Sequence, residues 1–210
     1  MKETIHVSKI DNMLEIDLEF IIDLDLSIGS GEFISIVGPS GSVTSTVLNI
    51  LGGLDIPTSG EVIVDQVEIT HLNTTQLAHF RGEKIGFIFQ SFNLIPVLSV
   101  YENIEYPLIM IQSLPPEERK KRVLEVLKEV DMLDQKEKYP DQISGGQKQR
   151  VAIARALVTK PKIVFADEPT ANLDSKTAHR IIKLMHKIKQ DYNTTFVFAT
   201  HDEKIVSSAE

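Results

Sequence analysis

Three short stretches of the chain carry residue types that can work on a phosphate ester. The first is Gly38-Pro39-Ser40-Gly41-Ser42-Val43-Thr44-Ser45-Thr46. A loop of pattern G-x-x-x-x-G-K-[ST] converges backbone N–H groups on phosphate oxygens at a helix N-terminus. Its lysine reaches the terminal phosphates and its hydroxyl ligates magnesium. Gly38, Gly41 and Ser45 fit that pattern, whereas Val43 and Thr44 stand where it requires glycine and lysine. Taken alone, the stretch serves equally well as a plain strand-to-helix turn. The second stretch is Asp167-Glu168, which closes the apolar run Ile163-Val164-Phe165-Ala166. One carboxylate there can hold magnesium, directly or through water, while its neighbour polarises an attacking water. Two acids after a strand can also form a capping turn with no chemistry. The third is Ile143-Ser144-Gly145-Gly146-Gln147. A serine and two glycines at a helix start make an anion-binding geometry, with a ligand-free glycine cap as the alternative. Its place, about 20 residues ahead of Asp167, favours the chemical reading.

The elements that must position these groups follow from the patterning. From Leu14 to Ile28 apolar residues alternate strictly, which predicts strand, as two strands with a bend, half buried in an antiparallel sheet. Phe33 to Val37 is a short apolar run into the glycine loop. Residues 45–54 then read as a helix closed by Gly52 and Gly53, the context a phosphate loop needs. Glu61 to Ile69 reads as a hairpin and Lys84 to Phe89 as a strand. Ser99 to Gln112 and Pro116 to Met132 read as helices, the second opened by Pro115, Pro116, Glu117 and Glu118. Its Arg119-Lys120-Lys121-Arg122 cluster is expected on a solvated face. Gly146 to Val158 is helical, Lys162 to Ala166 a strand, Ser175 to Tyr192 a helix, and Thr195 to Thr200 a β-branched strand. Strands alternating with helices imply a mainly parallel α/β core, with residues 93–158 as an inserted helical subdomain.

Composition narrows the classes. With 210 residues and 42% hydrophobic residues, the chain can bury a sizeable core as one domain. The absence of cysteine excludes disulfides, thiolate metal sites and cysteine nucleophiles. A net charge of −8 argues against nucleic-acid or anionic-membrane surfaces. The N-terminus shows no apolar signal segment, and no apolar run reaches the length of a bilayer span, so a membrane role would come through a partner chain. His179 and His186 lie seven apart on one helix without a third ligand and are expected to be solvated. His6, His71 and His79 carry no signal.

Together these stretches resemble the nucleotide-binding subunit of ATP-binding-cassette (ABC) transporters over essentially the whole length. Gly38 to Thr46 sits at the Walker A loop, and Gln90 after Ile88-Phe89 at the Q-loop. Ser144, Gly145, Gly146 and Gln147 match the signature motif, with Ile143 in place of the usual leucine. Ile163 to Asp167 resembles Walker B, with Glu168 at the catalytic glutamate. Asn172-Leu173-Asp174 resembles the D-loop, and His201 after Phe198-Ala199-Thr200 the switch histidine that contacts the γ-phosphate. Leu48 to Asp55, Gln90 to Pro96 and Val100 to Ile104 look like the lipoprotein-releasing and macrolide-exporting subgroup. The resemblance implies a P-loop NTPase (RecA-like) α/β core with an antiparallel β subdomain and an inserted α-helical subdomain. It implies ATP with Mg²⁺ held by Ser45, Gln90 and Asp167, and catalysis by Glu168, His201 and Gln90. It also implies head-to-tail dimerisation with a second ATP-binding subunit, each ATP lying between one subunit's Walker A and the other's signature. An integral membrane permease would hold the subunit on the inner face of the cell membrane, touching Gln90 and the helical subdomain. No nucleic-acid partner is expected. Soluble ABC proteins of DNA repair or translation usually carry long insertions or two cassettes, which this chain lacks.

The chain departs from that pattern mostly at one site. Thr44 removes the lysine cation, and Val43 puts a β-branched side chain where glycine permits close approach and unusual φ. Asp11 falls near the position of an adenine-stacking aromatic, and Gln66 replaces a glycine usual in the Asp65 turn. The sequence stops at Glu210, where relatives usually continue through further strand. Two readings follow: a transporter ATPase with impaired hydrolysis, or a non-catalytic subunit lending its signature motif to an intact partner.

Overall fold

The computed structural model describes residues 2–13, 16–38 and 43–201. The alternating acidic segment forms one strand, not two. Strand β1 (Lys2–Met13), which the sequence reading missed, pairs antiparallel with β2 (Ile16–Gly29). In place of the expected bend, the ladder slips: Val7 faces Leu24, Lys9 faces Ile21 and Ile10 faces Glu19, so β2 carries extra residues over this span. Each slip by one residue exchanges the two faces of a strand. Ile21 and Ile28 are therefore both buried, although they fall on opposite parities of the sequence pattern. Leu14 and Glu15 lie outside the described residues.

The first sheet runs β2-β1-β4-β5, all antiparallel, with β4 (Ser59–Val64) and β5 (Val67–Glu68) joined as the expected hairpin. Both turn residues are left-handed, Asp65 at φ +49 and Gln66 at φ +66. A two-residue hairpin turn needs that conformation, and glycine or asparagine supplies it more cheaply than glutamine. The second sheet is parallel, with order β3 (Phe33–Val37), β8 (Thr195–Thr200), β7 (Ile163–Asp167) and β6 (Ile85–Ile88). Its strands read as continuous apolar runs because helices cover both faces. The central β8 is buried at every position.

Helix α1 (Thr44–Leu51) lies between the two sheets. Val47, Leu48, Ile50 and Leu51 join Phe165, Val197 and Ala199 of the parallel sheet and Ile28, Val62 and Val64 of the antiparallel one in a single apolar cluster. Helix α2 (Thr74–Lys84), absent from the sequence reading, is polar and buries only Leu77. Its legible signal is the reciprocal cap between Asn73 and Gln76. Helices α3 (Val100–Met110), α4 (Pro116–Glu129), α5 (Gly145–Leu157) and α6 (Ser175–Tyr192) enclose the other cluster, against Val164, Ala166, Phe196 and Phe198. Helix α5 approaches β6 so closely that a Cβ on Gly86 would lie 2.8 Å from the Ala156 carbonyl.

The basic cluster of α4 is not one solvated face. Arg119 turns inward to Glu105 at 2.9 Å and to the Leu114 carbonyl, and Arg122 donates to Gln112 and Glu118. Lys120 and Lys121 stay exposed. Likewise His186 is not solvated. Its ring stacks on Phe33 with centroids 3.9 Å apart, because α6 lies over β3 at that point.

Candidate functional site

The parallel strands all end on one side, where open α/β sheets place their ligands. Register brings Val37 level with Thr200, and Asp167 level with Ala199. The chain leaves β3 at Gly38 and re-enters described structure at Val43, the residue preceding α1. Pro39, Ser40, Gly41 and Ser42 lie outside the described residues. Val43 has φ −78 and ψ 19, an ordinary conformation, so no left-handed strain arises at this position. It differs from glycine through bulk, and it packs, half-buried, on the apolar cluster around α1. Thr44 opens the helix, and Val43 contributes no side-chain cap to its first turn.

Helix α1 faces β7 and β8, and this contact carries Ser45 to Asp167. The Ser45 hydroxyl donates to Asp167 Oδ1 at 2.7 Å across 122 residues of sequence. A hydroxyl and a carboxylate oxygen side by side are the hard donors that Mg²⁺ takes. Among the described residues, neither Asp167 nor Glu168 is ion-paired with a lysine or arginine. The donor set therefore suits magnesium, and position 44 carries a neutral threonine.

Glu168 holds φ +47, a left-handed conformation uncommon outside glycine. Its backbone N–H donates to the Ala199 carbonyl at 3.1 Å, which ties it to β8. Its Oε1 accepts from the His201 backbone N–H at 3.1 Å and meets His201 Nδ1 at 2.6 Å. A carboxylate can only accept, so in this contact Nδ1 carries the proton. The Glu168 side chain is 17% exposed and that of His201 54%. The acid is thus set back and the imidazole stands at the surface.

Gln90 follows β6, and its carbonyl accepts from Asn172 Nδ2 at 2.9 Å. Among the described residues no hydrogen bond joins its side chain to Ser45 or Asp167, so the chain does not itself assemble those three groups.

The signature residues occupy a different place. Ser144 caps α5: its hydroxyl accepts from Gln147 N at 3.4 Å, and Gln147 Oε1 accepts from Ser144 N at 2.9 Å. Asp174 caps α6 through the Thr177 hydroxyl at 2.6 Å and the Thr177 N–H at 3.1 Å. The side-chain hydrogen bond first, and then the backbone one, hold the Asp174 carboxyl below the usual carboxylate range. Gly146 lets the two helix starts meet, since a Cβ there would lie 2.6 Å from Thr177 Cγ2. Ser144, Gly145, Gly146, Gln147, Asn172 and Asp174 line one cleft with Arg150 and Arg180, and none of Ser45, Asp167, Glu168 or His201 shares it. The two groups of residues thus lie apart on the chain. Thr177, Arg150 and Arg180 were missed by the sequence reading. The Asp174-x-x-Thr177 spacing of a helix cap was the available signal for the first.

Comparison with known proteins identifies a family for the chain. Residues 21–171 match the ABC transporter family. An uncharacterized ABC transporter ATP-binding protein of Methanocaldococcus jannaschii, MJ0796, is 46% identical over 208 residues, covering 98% of this chain and 88% of that protein. A lipoprotein-releasing system ATP-binding protein of Chlorobium chlorochromatii, LolD 1, is 43% identical over 189 residues, covering 90% of this chain and 77% of that protein. The dimeric post-hydrolysis structure of the MJ0796 cassette bound to ADP and Pi superposes with a TM-score of 0.90 at 45% identity, covering 99% of this chain and 91% of that one.

Proposed function

Because the chain belongs to the ABC transporter family as an ATP-binding subunit, we propose that it couples ATP binding to a separate integral membrane permease of lipoprotein-release or export type, with hydrolysis impaired by Val43 and Thr44. The observation that carries this is the pair of contacts Ser45–Asp167 and Glu168–His201, formed at one end of the parallel sheet. Residues 38–46 are assigned to the nucleotide phosphates. Ser45, Asp167 and Gln90 would hold Mg²⁺, which when bound offsets phosphate charge. Glu168 would accept the proton of the attacking water, and His201 is assigned to the terminal phosphate. Ser144 to Gln147 and the Asp174 turn serve the nucleotide of a second ATP-binding subunit, consistent with the separate cleft they line.

We further propose one cassette over residues 1–210, with the core at about 1–92 and 159–210 and the helical subdomain at about 93–158. No described helix is long and apolar enough to cross a membrane. Attachment to the inner face of the cell membrane would therefore run through the permease. Calorimetry of the purified chain with millimolar Mg-ATP, alone and with its permease, tests the reading; no binding in either case rejects it.

One observation favours a second reading. The signature cap is fully formed while position 44 lacks its cation. A non-catalytic subunit would keep the cap and lose the loop. Co-purification with a second, lysine-bearing ATPase chain supports this version, and isolation only as a homodimer removes it.

A further inference from the structure

Arg155 lies in the last turn of α5, the helix that Ser144 caps. Its guanidinium donates to the carbonyl of Phe92 at 2.8 Å and to that of Asn93. Both residues are left-handed, Phe92 at φ +64 and Asn93 at φ +47. They close the turn after Gln90, with Phe92 N donating to the Phe89 carbonyl at 3.0 Å and Asn93 N to the Ser91 carbonyl at 2.7 Å. On the far side of the turn, Asn172 Nδ2 holds the Gln90 carbonyl at 2.9 Å.

Three features set Arg155 apart from an ordinary helix arginine. No carboxylate partners it among the described residues. It is partly buried, and desolvation lowers its pKa from the usual guanidinium value. Two of its forked donors go to carbonyls of consecutive non-glycine residues in a conformation that disfavours them. Hydrogen bonds from a guanidinium are charge-assisted and stronger than neutral ones.

We propose that Arg155 is a positioning residue that locks the Gln90 turn onto α5, so that Gln90 and the Ser144 cap move as one rigid body. Asn172, two residues before the Asp174 cap, is the second fastening. A shift at Gln90 or at the Ser144 cap is then carried to the other through the Arg155 fork and the length of α5, with no intervening flexible segment. The mechanical part stands on the contacts alone. Its meaning for catalysis rests on the roles proposed above for Gln90 and Ser144.

Amide hydrogen exchange on the full chain tests the lock. In Arg155→Met, the amides of Phe92 and Asn93 should exchange about tenfold or more faster, while those of α5 and α6 keep their protection. Arg155→Lys, a point charge without a fork, should give an intermediate value. Asn172→Ala should loosen the same amides from the other side, and it decides the matter together with Arg155→Lys if Arg155→Met does not fold. Unchanged exchange at residues 92–93, or equal acceleration throughout α5 and α6, overturns the proposal.

A second measurement uses the chain carrying Val43→Gly and Thr44→Lys. There Arg155→Met should lower kcat about tenfold with KM changed by less than about twofold, and Arg155→Lys should recover part of the loss. An effect on KM alone overturns the coupling. If the altered-loop chain hydrolyses no ATP even with Arg155 intact, the lesion lies outside positions 43 and 44, and the exchange result alone decides the lock.

Discussion

At the scale of the residue, two contacts of the proposed site are already formed. Ser45 already touches Asp167, and Glu168 already touches His201. What position 44 lacks is a charge. A hydrogen bond from a cation is about twice as strong as a neutral one, and losing one preorganised donor costs about 10²–10³ in turnover. Val43→Gly with Thr44→Lys should therefore raise nucleotide affinity and turnover together, by about 10²-fold or more in rate. Calorimetry and phosphate release check this, and background values for both would place the lesion elsewhere.

Asp174 gives a second prediction at this scale. Its folded pKa is depressed by Thr177, so its contribution is full above the ordinary carboxylate pKa and disappears as pH falls through the lowered value. The stability gap between the chain and Asp174→Ala should be widest near neutrality and should close on acidification. Urea midpoints across a pH series check this, and a gap independent of pH contradicts it.

The residue types of the site were legible in the sequence, as serine, acids and histidine at family spacings. Their pairings were not. The Ser45–Asp167 contact spans 122 positions and exists only once α1 is laid over β7. Arg155 looked like any basic residue near a helix C-terminus. Its carbonyl partners lie more than 60 positions away and are main-chain atoms, which no side-chain pattern reveals.

At the scale of the element, the close packing of α5 explains two of the glycines, Gly86 of β6 and Gly146. Gly146 adjoins Thr177, whose rotamer is fixed by its hydrogen bond to Asp174. Gly146→Ala gains helix propensity but drives a Cβ into Thr177 Cγ2, and overpacking of this kind costs about 1–3 kcal/mol. Thr177→Ser keeps the hydroxyl and removes the methyl, so it should suppress the defect in the double variant. Thermal denaturation of the four proteins checks this; equal losses with and without the serine contradict it. Helices α3, α4, α5 and α6 were readable because their apolar residues recur at helical spacing. Helix α2 was not, since only Leu77 of its residues is buried. The β1 strand was hidden for a related reason: polar residues fill much of Lys2–Met13, and its pairing with both β2 and β4 supplies the order that its own pattern does not declare.

At the scale of the whole molecule, two sheets of unlike kind share α1. The antiparallel sheet meets one face of this helix and the parallel sheet the other, so the element that starts at the altered loop is also the wedge between the two layers. The sequence announced the parallel α/β core through its strand-helix alternation. It did not announce the slip in β2, because a bulge leaves no mark in a pattern that keeps alternating through it. The long edge this sheet exposes has a consequence for behaviour in concentrated solution. Among the described residues β2, fourteen residues long, pairs on one side only, with β1. An unpaired edge of that length is a template for a second copy, and like charge is what keeps such edges apart. Asp17, Glu19, Asp23 and Asp25 belong to this strand. Exchanging these four for asparagine and glutamine should turn a well-dispersed protein into one that scatters light and thickens with time, and clear solutions at equal concentration would show that the acids are not its gatekeepers.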